Sequence, residues 1–164
     1  MNDVISIREA TEEDLKTVYV WRNDVVTRDM FFQSNEVSFK EHSSWFNRAI
    51  KSANIEMYIN SIGDSRQIGL VRFTKLTGEY DISIIVAPEE RGKGYSKSIL
   101  AGTLRIFFSK RGKRAKVIAK IKKQNLASLG SFSSVGFQEI EETPDVSIFC
   151  LTWANFVCKD ANTS

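Results

Sequence analysis

The chain has 164 residues, 42% hydrophobic and 26% charged, with nine glycines, two prolines and a formal charge of +3. This length holds a single domain over residues 1–164, and the composition excludes a disordered, collagenous or low-complexity chain. No apolar run approaches the roughly 20 residues of a membrane span, and the opening MNDVISIREA, acidic and without an apolar core, does not read as a signal peptide.

Residues 4–8 alternate and predict a short strand. Thr11-Glu12-Glu13-Asp14 opens a helix, with Leu15, Val18, Tyr19 and Arg22 on one side at helical spacing. A polar loop is expected over residues 26–37. Ser38-Phe39-Lys40-Glu41 is a capping box, and the helix after it sets His42, Trp45, Phe46, Ala49 and Ile50 on one stripe. Three strand-like runs follow: one carrying Ile55, Met57 and Ile59, then residues 67–74, then residues 80–87. Turns at residues 61–65 and 77–79 separate them and predict an antiparallel meander.

Pro88 closes the third run. A long helix follows with the stripe Ile99, Leu100, Thr103, Leu104, Phe107 and Phe108. Residues 116–121 read as a strand and residues 125–135 as a short helix stopped by Gly136. Residues 137–140 and 146–153 read as a closing pair of strands. The predicted order is β-α-α-β-β-β-α-β-α-β-β, an α/β domain with a mixed sheet. Cys150 and Cys158 form no Cys-x-x-Cys pair, and His42 is the single histidine. The expectation is a reduced, cytoplasmic protein with no metal site and few ways to build a catalytic triad.

Between the third meander strand and the long helix stands Arg91-Gly92-Lys93-Gly94-Tyr95-Ser96. A helix N-terminus offers unpaired N–H groups and a positive dipole end, and glycines let a phosphate approach the backbone. The dinucleotide fingerprint is excluded because Lys97 stands at its third glycine. The nucleoside-triphosphate loop is excluded because a serine precedes Lys97.

The turn resembles the cofactor motif of the GNAT superfamily of acetyl-CoA-dependent N-acetyltransferases, Arg/Gln-x-x-Gly-x-Gly/Ala, with Ser96 in place of the last small residue. Residues 81–88 resemble the family's preceding strand. Asn125-x-x-Ser128, then Phe132, then Gly136-Phe137 resembles its second motif. The resemblance covers about residues 4–153. It implies the GNAT fold, a mixed and mostly antiparallel twisted sheet flanked by helices, with acetyl-CoA as co-substrate.

Carried over residue by residue, the resemblance implies that Arg91, Gly92, Lys93, Gly94, Tyr95 and Ser96 hold the pyrophosphate. Ile84, Ile85 and Val86 offer backbone groups to the pantetheine arm. Asn125 contacts that arm, caps a helix, or does both. Asp81 stands where relatives carry a catalytic base, whereas Glu79 reads as a solvated charge. Phe132 occupies the place of a tyrosine acid, so Ser131, Ser133 or a water is left to protonate the thiolate.

Eight basic residues and no acidic one lie between positions 110 and 123. They read first as a solvated face, second as a phosphate rim, and last as a nucleic-acid surface, because no aromatic side chain interleaves them. For the acceptor, Arg22, Arg28, His42 and Trp45 resemble the GNAT branch that acetylates nucleotide-linked amino sugars. The implied partner is a small-molecule amine on a nucleotide-sugar, with no membrane. Acetylation of a protein N-terminus, as on a ribosomal protein, and a non-catalytic binding module are the alternatives. Oligomeric state stays open, a homodimer included.

Overall fold

The computed structural model describes residues 4–63 and 65–161. The elements run β1 (Ile5–Glu9), α1 (Leu15–Asn23), α2 (Val25–Met30), α3 (Phe39–Ala49), β2 (Ile55–Ile62), β3 (Arg66–Lys75) and β4 (Tyr80–Val86). They continue with α4 (Tyr95–Arg111), β5 (Lys116–Lys122), α5 (Leu126–Ser134), β6 (Gln138–Glu142), β7 (Val146–Thr152) and α6 (Trp153–Ala161). Asp64, in the predicted turn between β2 and β3, and residues 1–3 of the opening segment lie outside the described residues.

Seven strands form one sheet in the order β1-β2-β3-β4-β5-β7-β6. Short turns make β2, β3 and β4 an antiparallel meander, as their spacing predicts. The long α4 crossover carries the chain over the sheet, and β5 therefore enters parallel to β4. Every other pairing is antiparallel.

Strand alternation divides the core into two layers. On one face α4, α5 and α6 pack over Ile68, Val71, Phe73, Ile82, Phe149 and Leu151. The predicted α4 stripe, from Ile99 to Phe108, is buried there at all six positions. On the other face α1 and α3 deliver Val18, Trp21, Phe46 and Ala49 onto Met57, Ile59, Leu70 and Ile85. The capping box of α3 forms as read: the Ser38 N–H and hydroxyl both donate to the Glu41 carboxylate, at 3.0 and 2.6 Å.

Two elements differ from expectation. The polar segment 26–37 begins inside a helix, α2, whose N-cap Asp24 accepts from the Thr27 N–H at 3.0 Å. Six residues are too few to display a 3.6-residue period. The last strand ends at Thr152, and Trp153 starts α6, which lays Trp153 and Phe156 against Phe108 with ring centroids 5.5 and 5.6 Å away.

Candidate functional site

Strands β4 and β5 pair only at Tyr80↔Val117 and Asp81↔Ile118. Beyond those two positions they diverge, and a cleft of about 790 Å³ opens between them. Residues 82–86 of β4 therefore present an edge without a β5 partner, so those of their backbone N–H and C=O groups that point away from β3 are available to a ligand. Ile84, Ile85 and Val86 all line the cleft.

At the end of β4 the turn reaches α4. Gly92 and Gly94 have φ of +76° and +82°, a region that side chains rarely adopt, and Gly94 is the N-cap of α4. A Cβ at either position would meet no atom within 4 Å, because both face open space. Arg91, Gly92, Gly94, Tyr95 and Ser96 line the cleft together. The α4 N-terminus thus points its unpaired N–H groups and dipole at that space, an arrangement suited to a phosphate. Lys93 is not among the lining residues; its ammonium pairs with buried Glu90 at 3.0 Å, and Arg66 approaches the same carboxylate at 3.5 Å.

Arg91 reaches the start of α2. Its guanidinium bonds the Asp24 carboxylate at 2.5 Å and the Thr27 hydroxyl at 2.6 Å, and so ties the glycine turn to the start of α2. The other end of α2 is held from the opposite lip, where Lys122 Nζ donates to the Asp29 carbonyl at 2.8 Å. Helix α2 consequently spans the cleft mouth and lends Val26 and Met30 to its wall, and the residues just after it add Phe31 and Phe32.

Asn125 caps α5, its amide oxygen accepting from the Ser128 N–H at 3.2 Å, and it also lines the cleft. The cap uses one lone pair of the oxygen, which leaves the other lone pair and the amide N–H groups to meet a ligand. Phe132 lines the same wall and packs on Phe137, centroids 4.9 Å apart. Ser131 spends its hydroxyl on the Ala127 carbonyl at 2.8 Å.

Asp81 sits where β4 and β5 separate, on the floor of the cleft. Burial pushes its carboxyl above the ordinary aspartate value, while Arg72 and Lys120 pull in the opposite direction. Both cations line the cleft too. Arg72 is a residue that the sequence pattern did not single out. It is brought to Asp81 by the β3–β4 register, in which Arg72 faces Ser83 and Thr74 faces Asp81.

The four residues assigned to the acceptor lie elsewhere. His42 is 3% exposed, wedged between Tyr19, Trp45 and Phe46, and burial lowers its pKa. Arg22 donates to the Gln33 carbonyl at 2.6 Å and covers the Phe31 ring. Arg28 donates to the carbonyls of Asn23 and Ser34. Trp45 lies under the Arg72 guanidinium, 5.6 Å from ring to cation. None of the four lines the cleft; Arg22 and Arg28 brace the segment that carries Phe31 and Phe32. Three of the eight residues of the basic stretch form ion pairs, Lys110 with Glu9, Arg111 with Glu56 and Lys123 with Glu142, while Lys120 reaches the cleft. Among the described residues no helix is long and apolar enough to cross a membrane.

Comparison with known proteins places this geometry. The model of a family described as acetyltransferase (GNAT) domain matches residues 5–138. A curated spermidine N(1)-acetyltransferase of Vibrio cholerae is 23% identical over 112 residues, which span 66% of this chain and 65% of that protein, just under two thirds of its length. The crystal structure of spermidine N-acetyltransferase from Vibrio cholerae in complex with CoA and spermine superposes with a TM-score of 0.83. It is 19% identical, with 93% of this chain and 98% of that one covered. A domain from Methanocaldococcus jannaschii superposes with a TM-score of 0.78 at 22% identity, covering 92% of this chain and 99% of that one.

Proposed function

The chain belongs to the GNAT acetyltransferase family as an acetyl-CoA-dependent N-acetyltransferase, and on that premise we propose that it acetylates a primary amine on a nucleotide-linked amino sugar. The glycine turn and the start of α4 take the pyrophosphate of acetyl-CoA. The unpaired edge at Ile84, Ile85 and Val86 takes the pantetheine arm, which directs the thioester toward the β4–β5 branch point. Asp81 stands at that branch point and serves as base. The amine nitrogen bonds to the thioester carbon, the C–S bond breaks, CoA leaves as the thiolate, and the amine proton passes to Asp81. A thiol of ordinary pKa, about 8.5, leaves well enough to be protonated by water, in keeping with Phe132 at the position of the expected acid.

The observation that carries the acceptor class is the charge of the cleft wall. Among the described residues its lining contains Arg72 and Lys120 beside Asp81, together with Phe31 and Phe32, and its other carboxylate, Glu90, is already paired with Lys93 and Arg66. Phosphate oxygens suit the cations, and a planar base suits the phenyl rings. A polyamine, with several ammonium groups, needs carboxylates that this wall does not supply. The spermidine acetyltransferases among the relatives nonetheless favour polyamine acetylation as a second reading.

Thiol release from acetyl-CoA, followed with the full chain, decides between them. The acceptor sets are UDP-linked amino-deoxyhexoses, spermidine with spermine, and peptides with free N-termini. Turnover of the amino sugars, weakened by salt, is the expected result. Turnover of the polyamines or peptides alone overturns the acceptor assignment and leaves the cofactor site standing.

A further inference from the structure

Arg72 is an unusual neighbour for a reacting amine. It lies on β3 diagonally across from Asp81, on the sheet face shared with Leu70 and Ile85. Its guanidinium is held over the Trp45 ring, lines the cleft, and keeps a buried Nε–H with no hydrogen-bond partner. The charged groups that bear on this spot come from each packed element: Asp81 on β4, Glu79 in the turn before it, Lys120 on β5 and Arg22 on α1. Glu90, at the far end of the cleft, is paired.

A buried carboxylate alone would stabilise the acceptor as an ammonium ion, which has no lone pair to attack with. A second fixed cation in the same cavity opposes that trap. It disfavours the ammonium and favours the ionised carboxylate at once, because an opposite charge stabilises one and a like charge destabilises the other.

We propose that Arg72 is a positioning residue that sets the charge state of the reacting pair, keeping Asp81 ionised and the bound acceptor amine neutral. This rests on the reading of Asp81 as base. In the step it serves, the N–H proton moves to the Asp81 carboxylate, the N–C bond forms and the C–S bond breaks. Arg72 holds its own protons throughout.

The test uses the full chain with saturating acetyl-CoA and a UDP-linked amino sugar as probe, or spermidine if that is the amine acetylated. Arg72→Gln removes the charge and keeps length and donors, whereas Arg72→Lys keeps the charge. For Arg72→Gln the acidic limb of the kcat–pH profile moves upward by about one unit, the rate on that limb falls about tenfold, and the loss is recovered at alkaline pH. Arg72→Lys keeps the limb close to its original place, and KM for acetyl-CoA is unchanged in both. An unmoved limb with a raised acceptor KM makes Arg72 a binding contact only and overturns the proposal. An equal loss of rate at every pH, with a lowered Tm, makes it a packing residue and overturns it as well. Asp81→Asn separates the two readings: wild-type rate in that variant sinks the base assignment, whereas a slow Asp81→Asn with an unmoved Arg72→Gln limb sinks the Arg72 proposal alone. If Arg72→Gln does not fold, Arg72→Met provides the uncharged side chain for the same profile.

Discussion

His42 stacks on Phe46, ring centroids 5.8 Å apart and planes 29° from parallel, and meets the Tyr19 ring at 5.4 Å, while its buried Nε2 has no hydrogen-bond partner among the described residues. The residue is a joint between α1 and α3. His42→Ala is expected to cost about 2 kcal/mol through the cavity it leaves and to leave the acceptor KM unchanged. Burial holds the folded-state pKa below the ordinary 6.5, so the unfolded chain takes up the proton first. The stability tied to His42 is complete above the unfolded value and declines as pH falls toward the folded one. Urea melts on either side of about pH 6.5, with acceptor kinetics on the variant, check both statements; a raised acceptor KM would return His42 to the binding site.

Asp81 carries the opposite sign. Its folded-state pKa is raised, first by burial, so the folded chain holds the proton to higher pH than the unfolded chain does. The stability of the protonated form is lost as pH rises through the folded value, and at neutral pH the ionised group is a net cost. Asp81→Asn is therefore expected to raise Tm at pH 7 while lowering kcat about 10²-fold. A variant that is slower and also less stable would argue for a structural carboxylate.

At Gly94 backbone and space act together. The φ of +82° disfavours any side chain, a Cβ there would meet no atom within 4 Å, and the residue lines the cleft. Gly94→Ala adds a methyl group on a strained backbone, whereas Gly94→Val also fills the pyrophosphate approach. Calorimetry is expected to show weakened acetyl-CoA binding for alanine and no measurable binding for valine, with the circular dichroism spectrum retained. Equal affinities in the two variants would place the pyrophosphate elsewhere.

What could be read from the chain follows the range of the interactions. The α4 stripe, the α3 capping box and the glycine turn are local patterns, and each appears in the structure at the residues that spell it. Arg72 is invisible locally: in Gly69-Leu70-Val71-Arg72-Phe73 it looks like an outward-facing strand residue, and only the β3–β4 register and α3 enclose it. The same limit applies to His42, which is buried and does not line the cleft, because helical spacing puts it on a stripe without saying whether that stripe faces core or ligand. Asp14 shows it again. It reads as one of three acidic residues at a helix start, yet it is 1% exposed and gathers Arg8, Gln67 and the Thr11 N–H.

That Asp14 cluster joins β1 to β3. Burial alone would raise the carboxyl, but the Arg8 fork, the Thr11 N–H and Gln67 more than offset it and hold the pKa below the ordinary value. Its stabilisation is present above the unfolded pKa and disappears as pH falls through the folded one. Arg8 is about half exposed, which reduces the value of the pair. Asp14→Asn is expected to cost about 2 kcal/mol at pH 7 and progressively less in acid, measured by denaturant titration. A constant difference across pH would mean that shape, and not charge, is what Asp14 contributes.

The last prediction concerns the bridge over the cleft. Helix α2 has six residues, too few to hold itself together in water. Its N-terminus depends on Asp24, which both caps Thr27 and receives Arg91. Arg91 belongs to the turn assigned to acetyl-CoA, and Phe31 and Phe32 at the other end of α2 line the wall assigned to the acceptor. Loosening Asp24 should therefore be felt on both sides. Asp24→Asn keeps an N-cap oxygen and removes the charge, and Asp24→Ala removes both. Acceptor KM is expected to rise in both variants, more in alanine, because the phenyl rings lose their fixed positions. Hydrogen exchange over residues 24–32 is expected to quicken in the same order. Acetyl-CoA affinity responds differently: Arg91, freed from Asp24, is left to pair with a phosphate, so the cofactor binds as tightly as before or tighter. A parallel loss of both substrates would instead mean that Arg91 needs Asp24 to stay in place, and that the turn, not α2, is the element the ion pair supports.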